Sequence, residues 1–170
     1  MADDVATGSA HTRLLGARLA ELAGNSGVTV ACAESLTSGA IASRLGAAEG
    51  SGAWFRGGVV AYSRAVKHGL LGVPDGPVVC EAAVRAMAES VSRLLDADLT
   101  VAVSGVGGPG DQDDEPPGSV WFAVHGGNRT DVERRQFGGG PEQVLENTVV
   151  HALTLLVDRA HTLTGRPRAG

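Results

Sequence analysis

The chain has 170 residues, 43% hydrophobic, 19% charged and 4% aromatic, which is enough to bury one core and too little for two. Thirteen Arg and one Lys against ten Asp and nine Glu leave a formal charge of −5, and the six aromatic side chains make a poor base-stacking surface, so a nucleic-acid partner is not expected. Two cysteines, Cys32 and Cys80, are too few for a disulfide scaffold; with an acidic start, M-A-D-D-V, and no apolar run near 18 residues, they point to a reducing, cytoplasmic compartment without secretory signal or membrane span.

In chain order, residues 1–9 read as a disordered tail. Over 11–23, Leu14, Leu15, Leu19 and Leu22 keep helical spacing until Gly24-Asn25-Ser26-Gly27 stops it. Residues 28–33, V-T-V-A-C-A, form a short, nearly continuous apolar run, as in a strand covered on both faces. The polar turn E-S-L-T-S-G follows, and helical spacing returns over 40–45. A second strand fits 58–62, a short helix 64–71 and, after the turn P-D-G-P, an amphipathic helix 81–95. Residues 99–103 read as a buried strand running into S-G-V-G-G-P-G and an acidic loop, D-Q-D-D-E-P-P-G, taken as solvated. Strands at 119–124 and 132–137 and a helix over 141–162 complete the pattern, with 163–170 a flexible tail. Strands alternating with helices, with one consecutive strand pair late in the chain, predict a single domain over 10–162: a three-layer α/β/α sandwich on a mostly parallel or mixed sheet. In such sheets the active crevice lies beyond the carboxyl ends of the strands.

Lys67 and Tyr62 are each the sole residue of their kind, five positions apart. Arginine cannot give up its proton in a protein, so a site needing a neutral amine must keep lysine; a compositional bias leaving one stray surface lysine is the alternative. On one helix the two would point roughly 140° apart. With Tyr62 ending a strand and Ser63 capping the helix, both can face one crevice. The turn Glu34-Ser35-Leu36-Thr37-Ser38-Gly39 is rich in hydroxyls, and a helix beginning near Thr37 or Ser38 would aim free N–H groups at it, suiting an anion or oxyanion. Those hydroxyls serve equally well as plain N-caps. Gly105-Val106-Gly107-Gly108-Pro109-Gly110 matches G-x-G-x-x-G without opening a helix, so it is a loop for close ligand approach or a sharp turn, not a dinucleotide site. Scattered histidines and the acidic loop imply no metal.

The blocks A-E-S-L-T-S-G, S-G-A-W-F-R-G-G-V-V-A-Y-S-R-A-V-K, A-V-S-G-V-G-G-P-G and G-S-V-W-F-A, in this order, resemble the CinA carboxy-terminal domain family over roughly residues 10–160, in its stand-alone form. The resemblance implies a cofactor-free serine amidohydrolase converting nicotinamide mononucleotide to nicotinate mononucleotide and ammonia. Ser35, Tyr62 and Lys67 take the catalytic positions. Glu34, Thr37, Ser38, Gly39, Ser104, Gly105, Gly107 and Gly108 are expected to bind the substrate, a small-molecule nucleotide. The chain is expected to form a homo-oligomer, a dimer. Independently, Lys67 is the available base for a serine hydroxyl; Ser63, four residues before it, is a rival partner. The chain departs from the family pattern at Gly139-Gly140-Pro141 and Leu145, where many members carry arginines, at Ser38 in place of glycine and at Cys80 in place of serine. The alternative function is a nucleotide-binding module that does not turn over.

Overall fold

The central strands are built from alternating residues that both find cover. The computed structural model describes residues 2–165, with side chains from residue 10 onward. Its elements run α1 (Ala2–Ser26), β1 (Val30–Glu34), α2 (Ala40–Gly46), α3 (Ser51–Trp54), β2 (Phe55–Val60), α4 (Arg64–Leu71), α5 (Glu81–Leu95), β3 (Leu99–Gly105), β4 (Ser119–Gly126), β5 (Arg129–Gln136) and α6 (Pro141–Thr164). The sheet order is β2-β1-β3-β4-β5, with β1 parallel to both β2 and β3 and the β3–β4 and β4–β5 pairs antiparallel. The three-layer sandwich on a mixed sheet is thus the fold expected from sequence.

Its two faces differ in bulk. Val30, Cys32, Val101, Val103, Val120 and Phe122 point to one core with Leu19 and Leu22 of α1, Ile41 and Leu45 of α2 and Leu153 and Leu156 of α6. The alternate residues Ala31, Ala33, Ala102 and Ala123 face the other, beneath Val84, Met87, Ala88 and Val91 of α5. Period-two alternation of large against small lets one layer interdigitate deeply while α5 lies over an alanine floor. Each of the larger side chains taken fully out of water contributes about 1.5–3 kcal/mol.

Four departures from the sequence reading have local causes. Helix α1 begins at Ala2, earlier than the start near residue 11 that the apolar spacing marks. Helix α6 continues to Thr164, and 166–170 lie outside the described residues. The four-residue α3 is too short to show a period. Strand β2 starts at Phe55 rather than 58, because the pair Gly57-Gly58 hides its pattern. Gly58 is required there: a Cβ on it would stand 2.6 Å from the Cys32 sulfur on the neighbouring strand.

The connection from β1 to β2 runs through α2, on the bulky face, and that from β2 to β3 through α5, on the alanine face. Chains leaving β1 and β3 in opposite directions open a crevice at the carboxyl ends of those strands, where ligands collect in open α/β sheets. Among the described residues no helix is long and apolar enough to cross a membrane.

Candidate active site

The turn after β1 is organised by a buried acid. Glu34 is wholly buried, and its carboxylate accepts hydrogen bonds from the backbone N–H of Gly39 (3.1 Å), Ile41 (3.0 Å) and Ala42 (2.8 Å). The Cys32 thiol, pushed up in pKa by burial and by this carboxylate, donates to it at 3.7 Å. The start of α2, expected to face a ligand anion, is therefore already met from within the chain. It begins at Ala40, not at Thr37 or Ser38, with Gly39, which has no side chain to cap with, in the left-handed region at its N-cap position. Glu34, Thr37, Ser38 and Gly39 do not line the cleft: Glu34 caps, Ser38 donates its N–H to the Ser35 carbonyl (3.1 Å), and Thr37 is buried with its hydroxyl unpaired. What the turn does present to the cleft is Ser35, 7% exposed, with Leu36 beside it.

The turn after β2 supplies the amine. Ser63 caps α4, accepting from the Val66 N–H at 3.3 Å, so its hydroxyl serves the helix and the rival Ser63–Lys67 pairing loses support. One turn on, Lys67 is only 2% exposed, and its Nζ donates to the Tyr62 carbonyl at 3.1 Å. Burial, then the Arg64 guanidinium, lower its pKa from the ordinary lysine value, against an opposing pull from Asp113. The contact between the two singletons is through the Tyr62 backbone; its side chain lines the cleft and is 69% exposed.

The third wall comes from the loop after β3. Gly105, Gly107 and Gly108 line the cleft as expected, and Gly105 could be no other residue, since a Cβ there would lie 2.6 Å from the Ser119 carbonyl oxygen. Ser104 does not reach the cleft; it is buried and donates to the Val78 carbonyl at 2.6 Å. The acidic loop is not merely solvated. Burial raises the pKa of Asp113, but the N–H groups of Val78 (2.7 Å) and Val79 (3.0 Å) and the Arg64 guanidinium outweigh it and hold that carboxyl below its usual range. Glu115 is held at about 2 by Arg134, helped by Ser119 and Trp121, with burial opposing. These two anchors fasten the loop to the rest of the fold, leaving Asp111 and Gln112 on the cleft. Pro141, Glu142 and Leu145 at the start of α6 close the far side of a space of about 530 Å³. They were legible only as departures from a pattern, since nothing local in G-G-G-P-E marks a cleft wall.

A buried serine thus shares one cleft with a desolvated lysine. The chain matches the CinA C-terminal domain model over residues 13–160. It is 43% identical over 145 residues to the nicotinamide-nucleotide amidohydrolase PncC of Pseudomonas putida, covering 82% of this chain and 91% of that one. To a CinA-like protein of Synechococcus sp. (strain CC9902) it is 42% identical over 150 residues, 84% of this chain but only 36% of that one, so it spans about a third of such longer relatives. A crystal structure of the competence damage-inducible protein A (ComA) of Klebsiella pneumoniae superposes with a TM-score of 0.84 at 34% identity, over 88% of this chain and 97% of the other. Family model, sequence and fold agree, and the chain belongs to the CinA C-terminal domain family.

Proposed function

We propose that the chain is a serine amidohydrolase that hydrolyses the carboxamide of a pyridine nucleotide, releasing ammonia, the activity named for its relative in Pseudomonas putida. The observation that carries this reading is Lys67, an amine almost wholly out of water in the same cleft as Ser35, with a lowered pKa that favours the neutral form a base requires. Lys67 takes the proton from the Ser35 hydroxyl, and the oxygen attacks the amide carbon. The negative charge that develops on the carbonyl oxygen is met by backbone N–H of the turn at Leu36, on the cleft wall. Collapse of the adduct expels ammonia, which leaves with the proton Lys67 had taken, and water then cleaves the acyl-serine with Lys67 again as base. The Tyr62 carbonyl holds Nζ in place, and the Tyr62 phenol relays or orients the proton.

Ammonia release from nicotinamide mononucleotide tests the reading. Lys67→Arg keeps the charge and removes the base, and turnover is expected to fall by about 10²–10⁴-fold. Full activity in that variant would end the assignment of Lys67. Stabilisation of the unmodified chain by the nucleotide without ammonia would favour a binding module instead.

A further inference from the structure

One side chain of the acidic loop joins two walls of the cleft. Asp113 lies between β3 and β4, and its side chain is 7% exposed. One carboxylate oxygen takes the Arg64 guanidinium, and the other accepts the N–H groups of Val78 (2.7 Å) and Val79 (3.0 Å). Arg64 also donates to the Gly76 carbonyl at 3.0 Å, and Ser104 holds the Val78 carbonyl at 2.6 Å. The first turn of α4, the segment 76–79 and the loop therefore meet on a single carboxylate. Back along the loop lies the cleft wall from Gly105 to Gln112, and one turn along α4 lies Lys67. Asp113 and Asp114 have φ of 54° and 63°, a left-handed backbone that residues with a side chain adopt where their surroundings hold them. The junction is also electrical: burial, then Arg64, lower the pKa of Lys67, and Asp113 opposes them. Tyr62, Asp111 and Glu142 are the other titratable side chains on the cleft among the described residues, and His68, next on α4, is bonded to the Val73 carbonyl at 2.9 Å.

We infer, resting on the amidohydrolase reading above, that Asp113 is a positioning residue: it ties the glycine-bearing wall of the cleft to the helix that carries the base, and its charge offsets that of Arg64 beside Lys67. Because Lys67 is the sole lysine of the chain, isotopic labelling of the lysine ε-carbon gives a single NMR signal that reports its protonation without any substrate. Asp113→Asn removes the charge and keeps an oxygen for Val78 and Val79. The Lys67 titration moves to lower pH in that variant, because a negative charge that stabilised the ammonium is gone, and the rising limb of kcat/KM for nicotinamide mononucleotide moves with it. Asp113→Ala also frees the wall, so KM rises about tenfold while the plateau kcat changes by less than about threefold. A tie that served the fold alone would lower the unfolding midpoint of both variants and leave the titration in place. A Lys67 titration that stays or moves upward in Asp113→Asn, or an unchanged KM in Asp113→Ala, overturns the inference. Should Asp113→Ala fail to fold, the KM of Asp113→Asn is read instead, with a rise of about threefold expected and an unchanged value again overturning the inference. If the unmodified chain releases no ammonia, the amidohydrolase reading falls by itself, and the Lys67 titration alone decides.

Discussion

Two turns leave parallel strands at the same end of the sheet, with a serine one place past β1 and another three places past β2, and they use it in opposite ways. After β2, the Ser63 hydroxyl accepts from Val66 and starts α4. After β1, the carboxylate of Glu34 reaches Gly39, Ile41 and Ala42 at the start of α2. Ser35 is thereby relieved of capping and faces the cleft. A serine in a strand-to-helix turn is open to chemistry where some other acceptor meets the helix, because unpaired N–H groups otherwise claim it.

The sharpest way to break this contrast is to delete each hydroxyl in turn. Ser35→Ala is expected to lower ammonia release by about 10³-fold or more while leaving the fold intact, since the nucleophile is gone. Ser63→Ala is expected to keep turnover within about threefold and to cost about 1 kcal/mol in urea unfolding, the ordinary loss of an N-cap. A reversal of the two results would exchange their roles.

The acid that frees Ser35 comes next. Glu34→Ala leaves the α2 donors without their acceptor inside the protein, at about 1–3 kcal/mol for each unpaired group, so a loss of at least about 3 kcal/mol is expected in denaturant titration. Because Ser35 adjoins Glu34, kcat should fall as well, and Glu34→Gln, which keeps one acceptor oxygen, should recover part of both. A Glu34→Ala protein with unchanged stability would mean that another group caps α2.

The smallest effect concerns the base. Arg64 lies next to the Ser63 cap, and its positive charge helps lower the Lys67 pKa. Since the neutral amine is the active form, kcat/KM rises with pH as Lys67 loses its proton. Arg64→Gln removes a repulsion and strengthens the pull of Asp113, so the lysine holds its proton longer and the rising limb moves to higher pH. At neutral pH the expected loss is about threefold, with the plateau little changed. A pH profile that does not move would separate Arg64 from the base.

Much of the architecture was readable because it rests on local rules. The bounds expected for α4 and α5, residues 64–71 and 81–95, coincide with those observed, since each has a turn before it and apolar spacing along it. Ser63 as the cap of α4 follows from the same logic. Of the expected site, Ser35, Tyr62, Lys67, Gly105, Gly107 and Gly108 meet in one cleft. Glu34, Thr37, Ser38, Gly39 and Ser104 were assigned to substrate through their position in motifs, yet a motif does not say which way a side chain turns. Ser104 turns to Val78, 26 residues away, and Asp113 binds the Val78 N–H across 35 residues. No spacing rule reaches that far.

Apolar runs, helical spacing and turn chemistry were enough to determine the layered sheet and the chain order of its strands and helices, and two solitary side chains marked Tyr62 and Lys67, because periodicity and capping act over a few residues. Folding decided the rest: Lys67 loses its water only when β2, α4 and the loop carrying Asp113 close around it, and the wall of Asp111, Glu142 and Leu145 exists only once α6 packs beside β3. Desolvation and charge at a distance are properties of the assembled protein, and they set the reactivity and selectivity of the cleft.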